Sequence, residues 1–77
     1  MYLSEALKGQ DYVVKHIGLP FETERRLEAL GMTGGTPLHV LNRKGKGILI
    51  VSLRGTRFAF GSNITKNIEV EAKDERE

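Results

Sequence analysis

Seventy-seven residues fit one small domain, and a chain that is 39% hydrophobic can build a single core but not a core plus a deep substrate cavity. The absence of cysteine excludes disulfides, thiolate zinc sites, cysteine-ligated iron–sulfur clusters and cysteine nucleophiles, and leaves nothing that needs an oxidising compartment. The formal net charge is +2 but unevenly spread: no Asp or Glu occurs between Ala29 and Ile68, where Arg43, Lys44, Lys46, Arg54, Arg57 and Lys66 all stand.

Leu3 and Leu7 lie one helical turn apart, with Gly9 available for a left-handed stop, which predicts a short N-terminal turn of helix. Tyr12 to Ile17 is β-branched and aromatic and ends at Gly18, a first strand whose facing is ambiguous. Pro20 suits a helix start, and Glu22 and Glu24 complement the positive end of the helix dipole. A helix is therefore predicted over Phe21 to Leu30, with Thr23, Leu27 and Leu30 on one face and Gly31 ending it. Thr33-Gly34-Gly35-Thr36-Pro37 then forms a turn cluster in which Pro37 suits the first residue of an edge strand.

The remainder reads as strand and turn. Leu38 to Arg43, the basic tip Lys44-Gly45-Lys46-Gly47 and Ile48 to Leu53 form a hairpin. Leu49, Val51 and Leu53 take its core face, and Ile48, Ile50, Ser52 and Arg54 the outer one. Arg54 to Arg57 turns into Phe58-Ala59-Phe60, a polar bend follows over Gly61 to Lys66, and Asn67 to Val70 is a last strand. One domain over residues 1–70, followed by a flexible charged tail over 71–77, is expected. The chain is mostly β, and its short strands around one helix suggest a small, partly open barrel of about five strands. No stretch approaches a membrane span, and the first ten residues lack the order of a secretory signal, so a soluble cytoplasmic protein is expected.

Phosphate-loop motifs fail on inspection. A Walker A loop ending at Lys46 would need Gly where Val40 stands and Ser or Thr where Gly47 stands, and a dinucleotide fingerprint from Gly45 meets Ile50. His16 and His39 fall on different strands without a carboxylate at a partnering spacing, and Ser4, Ser52 and Ser62 have no local histidine. No catalytic, cofactor-binding or single-chain metal site is expected. Metal binding would need a site shared between chains or completed by carboxylates such as Glu69 and Glu71.

Charge distribution carries more information. From Glu69 onward, Lys73 and Arg76 face Glu69, Glu71, Asp74, Glu75 and Glu77, a net of −3, so residues 1–68 carry +5 of the overall +2. The candidate partner-binding set is Arg43, Lys44, Lys46, Ile48, Ile50, Arg54 and Arg57, because cations mixed with outward isoleucines have the character of a protein interface. With Phe58 and Phe60 expected in or near the core, the patch offers bases nothing to stack on.

One stretch of sequence has a family likeness. Arg25-Arg26-Leu27-Glu28-Ala29-Leu30-Gly31-Met32-Thr33-Gly34-Gly35-Thr36, then Leu38 and Val40, Val51-Ser52-Leu53-Arg54-Gly55 and Ile68-Glu69-Val70, with Leu3, Leu7 and Gly9 ahead of them, together resemble the FeoA family, ferrous iron transport protein A. The resemblance covers about residues 3–70. It implies an SH3-like β-barrel with one helix between the first two strands. It also implies a non-enzymatic cytosolic accessory of ferrous iron uptake, partnered by the cytoplasmic GTP-binding part of a FeoB-type transporter. The departure from the family pattern lies at Phe60 to Thr65, where an acidic, alanine-containing helical turn is usual. Two alternatives stand beside this: an RNA-binding small barrel, and a stand-alone regulatory domain like the C-terminal domain of iron-dependent repressors.

Overall fold

In a computed structural model that describes residues 1–73, a 3-10 turn (Leu3–Glu5) precedes β1 (Asp11–Ile17), α1 (Phe21–Ala29), β2 (Pro37–Lys44), β3 (Ile48–Leu53), β4 (Thr56–Phe60), α2 (Ser62–Thr65) and β5 (Ile68–Ala72). All strand pairs are antiparallel, in the spatial order β4-β3-β2-β1-β5. The sheet forms the small SH3-like barrel, open between β4 and β5, with α1 inserted between β1 and β2.

Two bulges decide which residues face inward. In β1, Tyr12, Val14 and Ile17 are buried, a spacing that breaks strict alternation. The register shift between Val14 and His16 explains it: Lys15 is the extra residue, so Ile17 returns to the core opposite Ile68. In β2, Leu38 and Val40 are buried, and a second shift between Val40 and Asn42 makes Leu41 the extra residue. Beyond it the alternation is reversed. Arg43 then pairs with Leu49, which is paired in turn with Phe60, and this is a core-facing row.

The β3–β4 pair needs no such correction. Leu49, Val51 and Leu53 are fully buried, and Ile48 is exposed, as alternation predicts. Leu53 and Thr56 close a two-residue turn at Arg54 and Gly55, both with positive φ (52° and 82°), which suits the right-handed twist of the two strands. Phe58 and Phe60 share the inner side and stack with centroids 5.9 Å apart.

Helix α1 stops where its glycine requires. Met32 N–H donates to Leu27 O and Gly31 N–H to Glu28 O, both at 2.9 Å, with Gly31 at φ 104°. This is a Schellman cap whose flanking apolar pair, Leu27 and Met32, is buried in the core. A β-carbon at residue 31 would stand 2.5 Å from Arg54 Cδ. The remainder of the helix is peripheral. Leu27 reaches the core, whereas Leu30 and Phe21 are exposed, Phe21 lying under the Arg25 guanidinium at 5.4 Å. The predicted face of Thr23, Leu27 and Leu30 thus narrows to Leu27.

Four further expectations change. Leu3 is fully buried while Leu7 is 61% exposed, because the N-terminal turn is 3-10 and ends at Glu5. Pro37 begins the middle strand of the sheet, where an edge strand was expected. The expected polar bend after Phe60 contains the helical turn α2, whose Thr65 is fully buried. Strand β5 passes the domain boundary expected at residue 70, and Glu71 within it pairs with Lys15 at 3.5 Å. Residues 74–77 of the expected tail lie outside the described residues.

Candidate functional site

The hairpin of β2 and β3 positions most of the predicted set. Lys44 and Lys46 are exposed at its tip, and Ile48 beside them is 43% exposed. Cross-strand pairing sets Lys44 against Ile48, and Ile50 between Asn42 and Ala59, on the outer face. Arg57 is exposed one step further along, opposite Ser52. Lys44, Ile48, Ile50 and Arg57 therefore share one surface, with Lys46 at its tip.

Arg43 and Arg54 have other engagements. The β2 bulge turns Arg43 toward the 3-10 turn, where its Nη1 donates to Ser4 O at 3.0 Å and to Ala6 O. Arg54 lies at the opposite end of β3, and its Nε donates to Gly31 O at 3.2 Å, joining the β3–β4 turn to the end of α1. Neither is a carboxylate contact. Among the described residues the charged contacts are the Lys15–Glu71 ion pair and the Asp11–His39 contact, so none of the described carboxylates compensates the hairpin cations.

Behind the tip lies a cleft of about 440 Å³, lined by Ser4, Arg43, Gly45, Lys46, Gly47, Ser62 and Lys66. Its walls come from the N-terminal turn, the hairpin tip and the α2 region. Thr65 Oγ1 donates to Gly47 O, fastening the tip to α2. A β-carbon at residue 47, where φ is 80°, would stand 2.9 Å from Ser62 Cβ, so glycine is what permits this approach. Sequence reasoning did not place Ser4, Ser62 and Lys66 here. Reading Gly61 to Lys66 as a bend offered no signal that α2 would fold back on the tip.

The histidines require a correction. His39 does have a carboxylate neighbour: Asp11, opposite it on β1, places Oδ1 2.8 Å from His39 Nδ1. The two are 28 positions apart, so only the sheet register reveals the pair. Ser52 stands opposite His39 on the other side and Arg57 opposite Ser52, giving an outward polar row Asp11, His39, Ser52, Arg57. The row has the composition of a hydrolytic triad without its working geometry. No hydrogen bond joins His39 to Ser52 among the described residues, and the cleft is elsewhere. His16 is exposed opposite Glu69. No group of three or more metal-ligating side chains occurs among the described residues.

Comparison with known proteins gives a consistent result. The FeoA domain family model matches residues 1–72. The solution structure of FeoA protein from Chlorobium tepidum is 27% identical, with a TM-score of 0.88, covering 100% of this chain and 74% of that one. The crystal structure of an iron uptake regulatory protein, FeoA, is 29% identical with a TM-score of 0.83, covering 95% and 96%. The repressor ScaR with bound Cd2+ is 22% identical with a TM-score of 0.81, covering 92% of this chain but 35% of that one, a likeness of fold alone. No curated protein sequence matches the chain.

Proposed function

The chain belongs to the FeoA family, and from that premise we propose that it is a non-enzymatic, cytoplasmic accessory of ferrous iron uptake that docks on the cytoplasmic GTP-binding part of a FeoB-type transporter. One observation carries the choice of surface. The outer face of the β2–β3 hairpin combines exposed Ile48 and half-buried Ile50 with Lys44, Lys46 and Arg57, and none of these cations has a carboxylate partner among the described residues. A partner presenting an acidic rim around an apolar centre would match this surface, each side supplying the charge the other lacks.

The proposed role is mechanical: the protein binds and thereby biases the transporter. The test is a pull-down of the cognate transporter's cytoplasmic part, comparing the natural chain with the double variant Lys44→Glu, Lys46→Glu. Binding is expected to weaken by at least about tenfold, since like charges are brought together across the contact. Unchanged binding would move the interface to the α1 face around Arg25 and Glu28.

The likeness of fold to ScaR favours one second reading, a stand-alone regulatory domain like those at the C-termini of metal-dependent repressors. That reading would be preferred if the transporter fragment failed to bind while a metal-dependent repressor of the same cell was bound. The RNA-binding alternative has less behind it. Phe58 and Phe60 stack on each other on the core side, and the basic face presents no aromatic ring to a base.

A further inference from the structure

The cleft behind the hairpin tip has a chemistry of its own and shares only Lys46 with the docking face. Arg43, Lys46 and Lys66 line it, no Asp or Glu of the described residues does, and Ser4 and Ser62 bring hydroxyl groups to its wall. Three cations gathered around one space repel one another, and among the described residues none forms an ion pair. The arrangement is held in place. Arg43 is anchored through Nη1 to the carbonyls of Ser4 and Ala6, which orient the guanidinium without neutralising it. The tip is fastened by the Thr65 hydroxyl to Gly47 O. Gly45 and Gly47 leave that part of the wall without side chains, so a ligand can approach the backbone.

We propose that this cleft is a binding site for a small phosphoryl anion of the diphosphate class. The volume, about 440 Å³, is that of a site for a multi-atom ligand. Charge selects the class. A phosphate group carries roughly −1.5 to −2 at neutral pH, so a diphosphate matches three cations, whereas a single carboxylate would leave two uncompensated. A guanidinium and two ammonium groups are also the donors that recognise tetrahedral phosphoryl oxygens. Lys46 borders both the cleft and the outer hairpin face, whereas Arg43 and Lys66 take no part in that face, so Lys66→Gln tests the cleft apart from the docking reading.

The test uses the full chain alone, titrated with inorganic pyrophosphate and followed through its backbone amide NMR spectrum at fixed ionic strength. Citrate, a tricarboxylate, is the parallel arm. Pyrophosphate is expected to give saturable shifts centred on Gly45, Lys46, Gly47 and Ser62, and to bind at least about fivefold more tightly than citrate. Lys66→Gln should weaken it about fivefold, the loss of one partly solvated charge-assisted contact. Arg57→Gln, outside the cleft, should change affinity by less than about twofold. Arg43 is avoided because it anchors the N-terminal turn; Lys46→Gln is the second variant, and each spectrum reports folding directly. Equal affinity for citrate would overturn the phosphoryl assignment. Shifts spread without saturation over Arg54 and Arg57, or unchanged affinity in both folded lysine variants, would overturn the site.

Discussion

At Gly47 the backbone is in the left-handed region and Ser62 Cβ is 2.9 Å from where a side chain would begin. Gly47→Ala is therefore expected to cost about 2–4 kcal/mol, combining an unfavourable φ with overpacking against α2. Thr65→Val, which keeps the shape but removes the donor to Gly47 O, should cost about 1–3 kcal/mol by leaving a buried carbonyl unpaired. Urea unfolding of both variants checks the pair, and a loss below about 0.5 kcal/mol in each would mean that the α2 strap contributes little. Asp11 and His39 raise a different question at the same scale. Two adjacent donors are a weak and unselective metal site, and no third completes the pair among the described residues. Anaerobic calorimetry with ferrous iron near neutral pH is expected to show no micromolar or tighter binding. A site of that strength lost on His39→Ala would instead make the protein a metal carrier. Neither the Asp11–His39 pair nor the inward turn of Arg43 was legible in the sequence. The first depends on strand register, and the second on a bulge that reverses the alternation set by Leu38 and Val40.

Among the elements, those with strong local chemistry were legible: α1 between Pro20 and Gly31, the β2–β3 hairpin around its glycine tip, and the β3–β4 turn. Short segments held by tertiary contacts were not. The 3-10 turn is set by burial of Leu3 and Ala6 and by Arg43 beneath it, and Leu7 looks equivalent to Leu3 until its exposure is seen. This separates two otherwise similar substitutions. Leu3→Ala is expected to cost about 2–4 kcal/mol, a fully buried leucine truncated, while Leu7→Ala should stay within about 0.5 kcal/mol. Thermal or urea unfolding distinguishes them, and equal losses would restore the helical-face reading of the N-terminus. Strand β5 was read short for a related reason. Glu71 and Ala72 have little hydrophobicity of their own, but they pair with Val13 and Tyr12, and Lys73 N–H donates to Asp11 O at 2.9 Å.

Across the whole molecule the charge asymmetry of the sequence becomes an asymmetry between strands. Glu69 and Glu71 lie on β5, while Arg57 lies on β4 and the lysines at the β2–β3 tip, elements that do not hydrogen-bond to β5 in the sheet. Such a separation orients the protein in the field of a charged partner before contact, and so acts on association more than on the finished complex. Because the Debye length is about 8 Å at physiological salt and about 3 Å at 1 M, orientation from a distance is lost as salt rises. Stopped-flow association with the transporter's cytoplasmic part should therefore slow markedly with ionic strength. At low salt, Lys44→Glu with Lys46→Glu should lower the association rate constant about tenfold and flatten its salt dependence, and by about 1 M salt the gap from the natural chain should narrow. Glu71→Gln, which removes an exposed carboxylate along with the Lys15 pair, should change the rate by less than about twofold, because β5 does not pair with the hairpin and an exposed charge outside the contact is screened. If the two variants slowed association equally, the β2–β3 face would not be the surface that approaches the partner first, and the docking contact would have to lie nearer β1 and β5.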